Sequence, residues 1–406
     1  MAINAAAPLP HPLTKGDLRH EVRHIESVDA LMALRQTWRG LAAVAEECPA
    51  CMTFEYGELA ASQVLAKSGT IGVAMVFRNH ELLALWPVSI VRKGLLRIAR
   101  ALTCGSGEEY GGPLVKAGAN SAANCNVYAA AVAAIMQIDA DVLEIPWVRE
   151  GSALQAALES APQSWVHALL PAQWRSLPGY SISLREFAQW DDFMRTLPKS
   201  LRISLRYRRK RLEARGRVEF GWCKSPSDAA SVLTWLFDNK RRWAERRGLR
   251  APYLMDHQVR DFFIALAHRI DLATNPLVAF VKLDGVPVAA SVNLVGSRSM
   301  EIFIDTYDEA FSPCSVGNLL NEFQIWWSHA SGRDFDFRPP YSEHKASWAN
   351  CRTQHETRLI ILRLWGRLAE FSLLTAEGLR VKRKLVQAVG LVGKQSARDM
   401  PAASPP

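Results

Sequence analysis

The run Val278-Ala279-Phe280-Val281-Lys282-Leu283-Asp284-Gly285-Val286-Pro287-Val288-Ala289-Ala290-Ser291-Val292-Asn293-Leu294 is two apolar, β-branched stretches set around Asp284-Gly285. That dipeptide takes positive φ cheaply, so the spacing predicts a hairpin with a two-residue turn. A third strand is expected over 300–306, after the turn at Gly296-Ser297. The polar, proline-containing stretch 308–314 reads as a loop. It empties into Ser315-Val316-Gly317-Asn318-Leu319-Leu320, where apolar spacing lengthens from two to about 3.6. Three meandering strands feeding the start of a helix form a natural cradle for an anionic group.

With 406 residues the chain is too long for one ordinary domain, so two domains or a duplicated fold are expected. Its 49% hydrophobic content is ample for real cores. A net charge of +9 favours phosphates, nucleic acid or an anionic membrane surface without choosing among them. Seven scattered cysteines argue against a disulfide scaffold and for a reducing compartment. Cys48-Pro49-Ala50-Cys51 has redox-motif spacing, yet it ends a helical pattern and no second pair completes a zinc site; it reads as two ordinary thiols, and no metal is expected. No apolar run reaches membrane-spanning length, which predicts a cytoplasmic protein, peripheral to a membrane at most.

Upstream, a strand is expected over 22–26 and a helix over 28–45 with Leu31, Leu34, Trp38 and Leu41 on one face. A second helix over 54–67 precedes strands at 71–77 and 82–91, a loop at 105–112, an alanine-rich helix at 122–137 and a strand at 142–145. The same order recurs over 277–337, the pattern of a distant internal duplication. Between the halves lies a strand at 181–184. Pro198 and Ser200 then open a helix bearing Arg202, Arg206, Arg208, Arg209, Lys210, Arg211 and Arg215. A second basic cluster, Lys240, Arg241, Arg242, Arg246, Arg247 and Arg250, follows an amphipathic segment at 229–237. An amphipathic helix at 365–374, a basic helix at 379–389 and a disordered end at 395–406 complete the chain. The expected division is a disordered tail at 1–20, a first lobe at 21–179, a second at 180–365 and a basic extension at 366–406. Trp222, Trp235, Trp243, Trp326 and Trp327 are expected in core and lobe contacts.

Two segments can carry chemistry. Unpaired N–H groups at a helix start bind phosphate oxygens, and a glycine lets the backbone approach them; Ser312, Ser315, Gly317 and Asn318 supply that pattern, although an ordinary capped helix has the same look. Tyr307 and Asp308 stand at the strand end facing that loop, as site residues or as turn and cap residues. In Asp334-Phe335-Asp336-Phe337-Arg338-Pro339-Pro340-Tyr341-Ser342-Glu343-His344-Lys345, alternation puts Phe335 and Phe337 on one face and Asp336 on the other, and the prolines leave a charged group on a loop. A lysine beside a reacting carbonyl offsets developing negative charge, and a carboxylate orients or deprotonates an attacking amine. That casts Lys345, Asp336 and Glu343 as catalytic candidates, against the alternative of a solvated loop with surface ion pairs. Arg206 and Arg209 of the basic helix are candidates for a polyanionic substrate, or else part of a solvated face.

Residues 180–363 resemble the acyltransferase domain of the CelD-like proteins, a branch of the GNAT superfamily related to the FemABX aminoacyltransferases. The resemblance rests on Ser204-Leu205-Arg206-Tyr207-Arg208-Arg209-Lys210-Arg211-Leu212-Glu213, Gly285-Val286-Pro287-Val288-Ala289-Ala290, Asp305-Thr306-Tyr307-Asp308, Ser315-Val316-Gly317-Asn318-Leu319-Leu320 and Phe335-Asp336-Phe337 before Glu343-His344-Lys345. Glu109-Tyr110-Gly111-Gly112-Pro113-Leu114 resembles the first half of the same proteins. It implies an α+β fold of two tandem GNAT-like lobes, each a mixed, largely antiparallel sheet flanked by helices. It implies acyl or aminoacyl transfer to an amine or hydroxyl, with acyl-CoA, acetyl-CoA above all, as co-substrate and no metal. It further implies that Lys345 matches a lysine at the reacting carbonyl, with a small-molecule or saccharide-linked acceptor. The sequence departs from the GNAT phosphate signature Gln/Arg-x-x-Gly-x-Gly/Ala: Ser312-Pro313-Cys314-Ser315-Val316-Gly317 keeps only the last glycine. A non-catalytic scaffold of envelope or polysaccharide assembly and a tRNA-binding transferase are the rival readings; no aromatic stacking motif interleaves with the arginines to favour RNA.

Overall fold

A computed structural model describes residues 18–378 except 108, 119–120, 171–174, 250, 341, 372 and 376–377. Residues 1–17 of the tail expected at 1–20, the end expected at 395–406, the basic helix at 379–389, Arg250 and Tyr341 lie outside the described residues, whereas Leu18, Arg19 and His20, expected in the tail, belong to the first strand.

The strands are β1 (Leu18–Ile25), β2 (Thr70–Arg78), β3 (Glu81–Lys93), β4 (Leu96–Ala101), β5 (Leu114–Val115), β6 (Val142–Arg149), β7 (Leu177–Ile182), β8 (Val218–Trp222), β9 (Val278–Leu283), β10 (Val286–Val295), β11 (Ser299–Tyr307), β12 (Asp334–Asp336) and β13 (Cys351–Ile361). They form one sheet in the order β1-β2-β3-β4-β6-β13-β7-β12-β11-β10-β9-β8, with β5 beside β3. The hairpin deciding this reading is β9–β10, and Asp284 and Gly285 do take positive φ, 50° and 82°.

The expected duplication is written in the topology. In the first half β1 to β4 are antiparallel neighbours and β6 joins parallel after the helix Ser121–Ile135. In the second half β8 to β11 are antiparallel and β12 joins parallel after the helix Val316–Ala330. The halves then exchange strands. β7, which follows the first half in sequence, pairs with β12 of the second, and β13, which follows the second, pairs with β6 of the first through His355–Ile361 and with β7 through Cys351–His355.

The halves also share a core. Trp38, Phe54 and Tyr56 of the first lobe cluster with Phe262, Phe263, Leu294 and Ile304 of the second, and Tyr56 meets Phe262 edge-on at 4.8 Å. Leu31, Leu34, Trp38 and Leu41 are all buried as their spacing predicts, although their helix is broken into Val28–Met32 and Arg35–Val44. Burying such side chains contributes roughly 1.5–3 kcal/mol each.

Other expectations need correction. The stretch read as a loop at 308–314 is a 3-10 turn, Glu309–Cys314, started by Asp308. The charged loop after the prolines is a short helix, Glu343–Trp348. Trp326 is 47% exposed rather than in the core, because it points from the outer side of the helix Val316–Ala330. Lys240, Arg241, Arg242 and Arg246 of the second basic cluster belong to one long helix, Pro226–Arg246, with the segment before them, and Arg247 caps its end.

Candidate active site

β11 and β12 pair at only three positions, Ser299 with Asp334, Met300 with Phe335 and Glu301 with Asp336. Beyond Asp336 the chain turns away, the Phe337 amide donating to Tyr180 O at 2.9 Å, while β11 runs on to Tyr307. The two parallel strands therefore part at Glu301 and Asp336, whose carboxylates are side by side and buried.

The gap is filled from both lobes. Arg338, 2% exposed, lies with its guanidinium 4.6 Å from the Phe303 ring centroid and 4.9 Å from that of Trp147, and its Nε is 3.5 Å from a Glu301 oxygen. Arg338 and Trp147 both adopt positive φ, 59° and 52°. For residues this large that conformation costs on the order of 1–3 kcal/mol, and it persists because the surroundings fix it. Asp336 accepts from the Arg338 amide at 2.6 Å and from the Tyr110 hydroxyl at 2.7 Å, which ties the first lobe's Gly-rich loop to the second lobe's last parallel strand. Burial pushes Glu301 up to about 8; the Arg338 guanidinium opposes this, and the Asp336 carboxylate adds to it. Burial also raises Tyr110 well above its usual range and lowers His355, whose ring leans on Tyr110 at 5.7 Å, to about 4.

A cleft opens on each side of this plug. One, between the lobes, is lined by Glu47, Tyr110, Tyr128, Arg149, Glu301 and Asp336. The other is lined by Phe303, Asp305, Asn321, Arg338, His344 and Lys345. Trp147 forms a wall of both. Lys345 donates its ammonium to the carbonyls of Arg338 at 2.9 Å and Pro340 at 3.1 Å. Asp305, which lines the same cleft, accepts at its carbonyl from Lys240 at 2.7 Å. Asp336 and Lys345 thus flank one plug from opposite clefts. Glu343, on the first turn of its short helix, is exposed and lines neither cleft.

The helix Val316–Ala330 begins in an unusual way. Ser315 takes a left-handed conformation, φ 44° and ψ 50°, and bonding within the helix starts only at the Asn318 amide, which donates to Ser315 O at 2.9 Å. The Ser315 hydroxyl accepts from Arg208 at 2.6 Å. Arg211 and Arg215 donate to the carbonyls of Pro313 and Ala310. Spacing of three residues puts Arg208 and Arg211 on one face of the helix Lys199–Glu213, and Arg215, just past its end, joins them at the turn. Arg206 is exposed on another face, and Arg209 is held by Glu322 at 2.8 Å and stacked on Phe220 at 4.7 Å. Gly317 faces Tyr307: a Cβ there would lie 3.5 Å from that ring. Asn318 accepts from the Trp348 indole at 3.5 Å, joining this helix to the one bearing Lys345. Ser312 is exposed, with its carbonyl accepting from the Ser315 amide, and Asp308 caps the 3-10 turn through the Ala310 amide. The charge at this turn suits an anionic carrier. The glycine does not form a bare backbone cradle, because Tyr307 stands against it.

Sequence reasoning missed Trp147, Glu301, Arg338 and the arginine face. Glu301 did leave a trace as an acid at an inward position of a largely apolar strand, and Leu205 and Leu212 mark the inner side of the arginine helix. Nothing local in the sequence signals Trp147.

Residues 199–346 match the family described as an acetyltransferase (GNAT) domain. The chain carries a GNAT-type acetyltransferase domain. It opens at the arginine helix and closes one residue past Lys345, so the parted strands, the left-handed turn and the lysine all lie inside it. The fold is similar to the crystal structure of FemX, at 10% identity and a TM-score of 0.58 over 86% of this chain and 100% of that one. A conserved protein of unknown function from Bacteroides thetaiotaomicron VPI-5482 aligns at 12% identity and a TM-score of 0.49, covering 81% and 97% of the two chains. A tandem GNAT protein from the clavulanic acid biosynthesis pathway aligns at 12% identity and 0.39, covering 84% and 99%. No curated protein matches the sequence.

Proposed function

We propose that the protein is an acyltransferase that moves an acyl group, acetyl first among the candidates, from a coenzyme A thioester to an amine or hydroxyl acceptor seated between the lobes. The observation that carries this reading is the parting of β11 and β12 inside the GNAT domain, with a basic, left-handed helix start on one strand end and a buried carboxylate–phenol pair at the fork. Arg208, Arg211, Arg215 and the first amides of the helix Val316–Ala330 would hold the donor's phosphates. Asp336, oriented by Tyr110, would position an acceptor amine and take its proton as the new C–N bond forms and the thiolate leaves. Lys345, which lines the cleft on the far side of the Arg338–Trp147 plug from the acceptor, would offset the negative charge on the donor's carbonyl oxygen once that plug moves aside and the two clefts join. Glu343, exposed and outside both clefts, has no part in this scheme. The scheme takes attack to be direct; burial raises the Cys51 and Cys104 thiols well above their usual range, which leaves those two poor nucleophiles. The likeness to CelD-like proteins supports a saccharide-linked acceptor in polysaccharide or envelope assembly, and the FemX-like fold makes an aminoacyl-tRNA donor worth an arm of the same test.

Calorimetry or native mass spectrometry against acetyl-CoA, longer acyl-CoA and aminoacyl-tRNA decides the donor. Lys345→Ala then has to lower turnover by roughly 100-fold or more while donor binding persists. Unchanged turnover would remove the assignment. One observation favours a second reading, a non-catalytic scaffold: the turn is occupied by its own side chains, Arg208 on Ser315 and Tyr307 on Gly317. Failure to bind every donor is the result that reading requires.

A further inference from the structure

A second surface of the molecule carries large apolar side chains turned to solvent. The helical segment beginning at Arg367 docks by one side only, with Ala369 and Leu373 against Leu96, Ile98, Val142 and Leu359. Its other side and the turn before it present Leu364, 83% exposed, Trp365, 68%, Leu368, 40%, and Phe371, 66%. Spacings of 364, 368 and 371 put these residues on one stripe. Beside them stand Trp165, 58% exposed, and Leu169, 61%. The Trp165 indole donates to Glu370 at 2.9 Å, so that ring is fixed to the helix while its face remains outside. On the neighbouring hairpin, whose Leu96 packs in the same small cluster as Ala369, Leu95 is 76% exposed. Single exposed apolar residues are ordinary; a contiguous patch with two tryptophans is not, and it marks an interaction surface.

The charge around the patch identifies what it meets. Arg363 and Arg367 border it, and Arg92 and Lys93 lie next to Leu95. The sequence that follows reads Leu379-Arg380-Val381-Lys382-Arg383-Lys384, four cations against the single Glu377 just before it. Apolar side chains with cations around them, and tryptophans that combine a flat apolar body with a polar N–H, suit the boundary between lipid headgroups and acyl chains. A nucleic acid would engage the cations but leave Leu364 and Leu368 in water. A second copy would bury the apolar stripe but set the cations against each other. Among the described residues no helix is long and apolar enough to cross a membrane, so contact by this face is of the lying type.

We propose that this face is a peripheral docking surface for an anionic lipid bilayer, into which Leu364, Trp365, Leu368 and Phe371 insert while Arg363, Arg367, Arg92 and Lys93 engage the headgroups. It does not rest on the acyltransfer reading, since no patch residue belongs to either cleft.

The test is co-sedimentation of the full chain with vesicles of phosphatidylcholine alone and of phosphatidylcholine with phosphatidylglycerol. The expected result is binding to the anionic vesicles only, reversed by salt. Trp365→Ser with Phe371→Ser should weaken it by at least about tenfold, because each exposed ring loses its apolar transfer energy. Both side chains are exposed, so the melting temperature should hold, which separates lost binding from lost folding. Changing Arg92, Lys93, Arg363 and Arg367 to Gln should weaken binding several-fold and flatten its salt dependence. Absence of sedimentation with anionic vesicles at low salt, or equal binding by the double variant, overturns the proposal. So does a concentration-dependent dimer, seen by light scattering and lost in the double variant, if vesicles leave it intact; the patch would then belong to a second copy of the chain.

Discussion

Replacing Glu301 by glutamine tests the physical state of the fork between the parted strands. Glu301 is buried beside Asp336, and its carboxyl titrates near 8 in the folded protein against 4.5 as a free side chain. Between those two values the folded state holds a proton that the unfolded chain releases, so stability is fully present at acid pH and is lost as pH climbs toward 8. At about 1.4 kcal/mol per pH unit, a window of about three and a half units amounts to roughly 5 kcal/mol. Glutamine has nearly the same shape and cannot ionise. The stability of Glu301→Gln relative to the native sequence should therefore grow from about 1 kcal/mol or less at pH 5 to about 5 kcal/mol in the variant's favour above pH 8. Urea denaturation at both pH values measures it, and titration of other groups cancels in the difference. An equal difference at both pH values refutes the reasoning. A native protein more stable than the variant above pH 8 would show that the ion pair with Arg338, at 3.5 Å, outweighs burial.

Arg208→Glu should weaken donor binding by about tenfold or more, with a shallower salt dependence, whereas Arg206→Glu, on the exposed face, should change it little; calorimetry at two salt concentrations separates them. Tyr110→Phe removes the hydrogen bond that Asp336 accepts from the first lobe and should cost about 1–3 kcal/mol of stability, together with a lower kcat, read by denaturation and turnover. Gly366→Ala should destabilise by about 1–3 kcal/mol or more, because the added Cβ would fall 2.2 Å from Asp141 O, a backbone atom that cannot step aside; the melting temperature reports it.

Much of the second half was legible because its elements are set by local rules. The Asp284-Gly285 turn, the three strands around it and the helix from Val316 follow from turn chemistry and a change of period. β4 was not foreseen: Leu96-Arg97-Ile98-Ala99-Arg100-Ala101 mixes small and cationic residues, and it becomes a strand through pairing with β3 and β6. The site was legible to a lesser degree for the same reason. Asp336 and Lys345 could be named from a short charged segment, but the residues that give them meaning, Tyr110, Trp147 and Glu301, arrive from strands and loops far away in sequence. Arg206 and Arg209 were picked from a helix basic on most sides; only contact with the turn at Ser315 distinguishes Arg208, Arg211 and Arg215 from their neighbours. Buried charge likewise leaves no mark in composition: Arg338 looked like a loop cation and is among the largest fully enclosed side chains.

The crossing of β7 and β13 between the halves sets a limit on how the molecule can move. A hinge needs a seam that few bonds cross, yet here the last strand is laced to one half by its beginning and to the other by its end. Prising the lobes apart like a clamshell would mean unzipping a central ladder of the sheet. Entry to the cleft between them must therefore be won by shifts of the covering segments, the stretch before Leu114 and the turn around Pro340, over a chassis that stays rigid and unfolds as one piece.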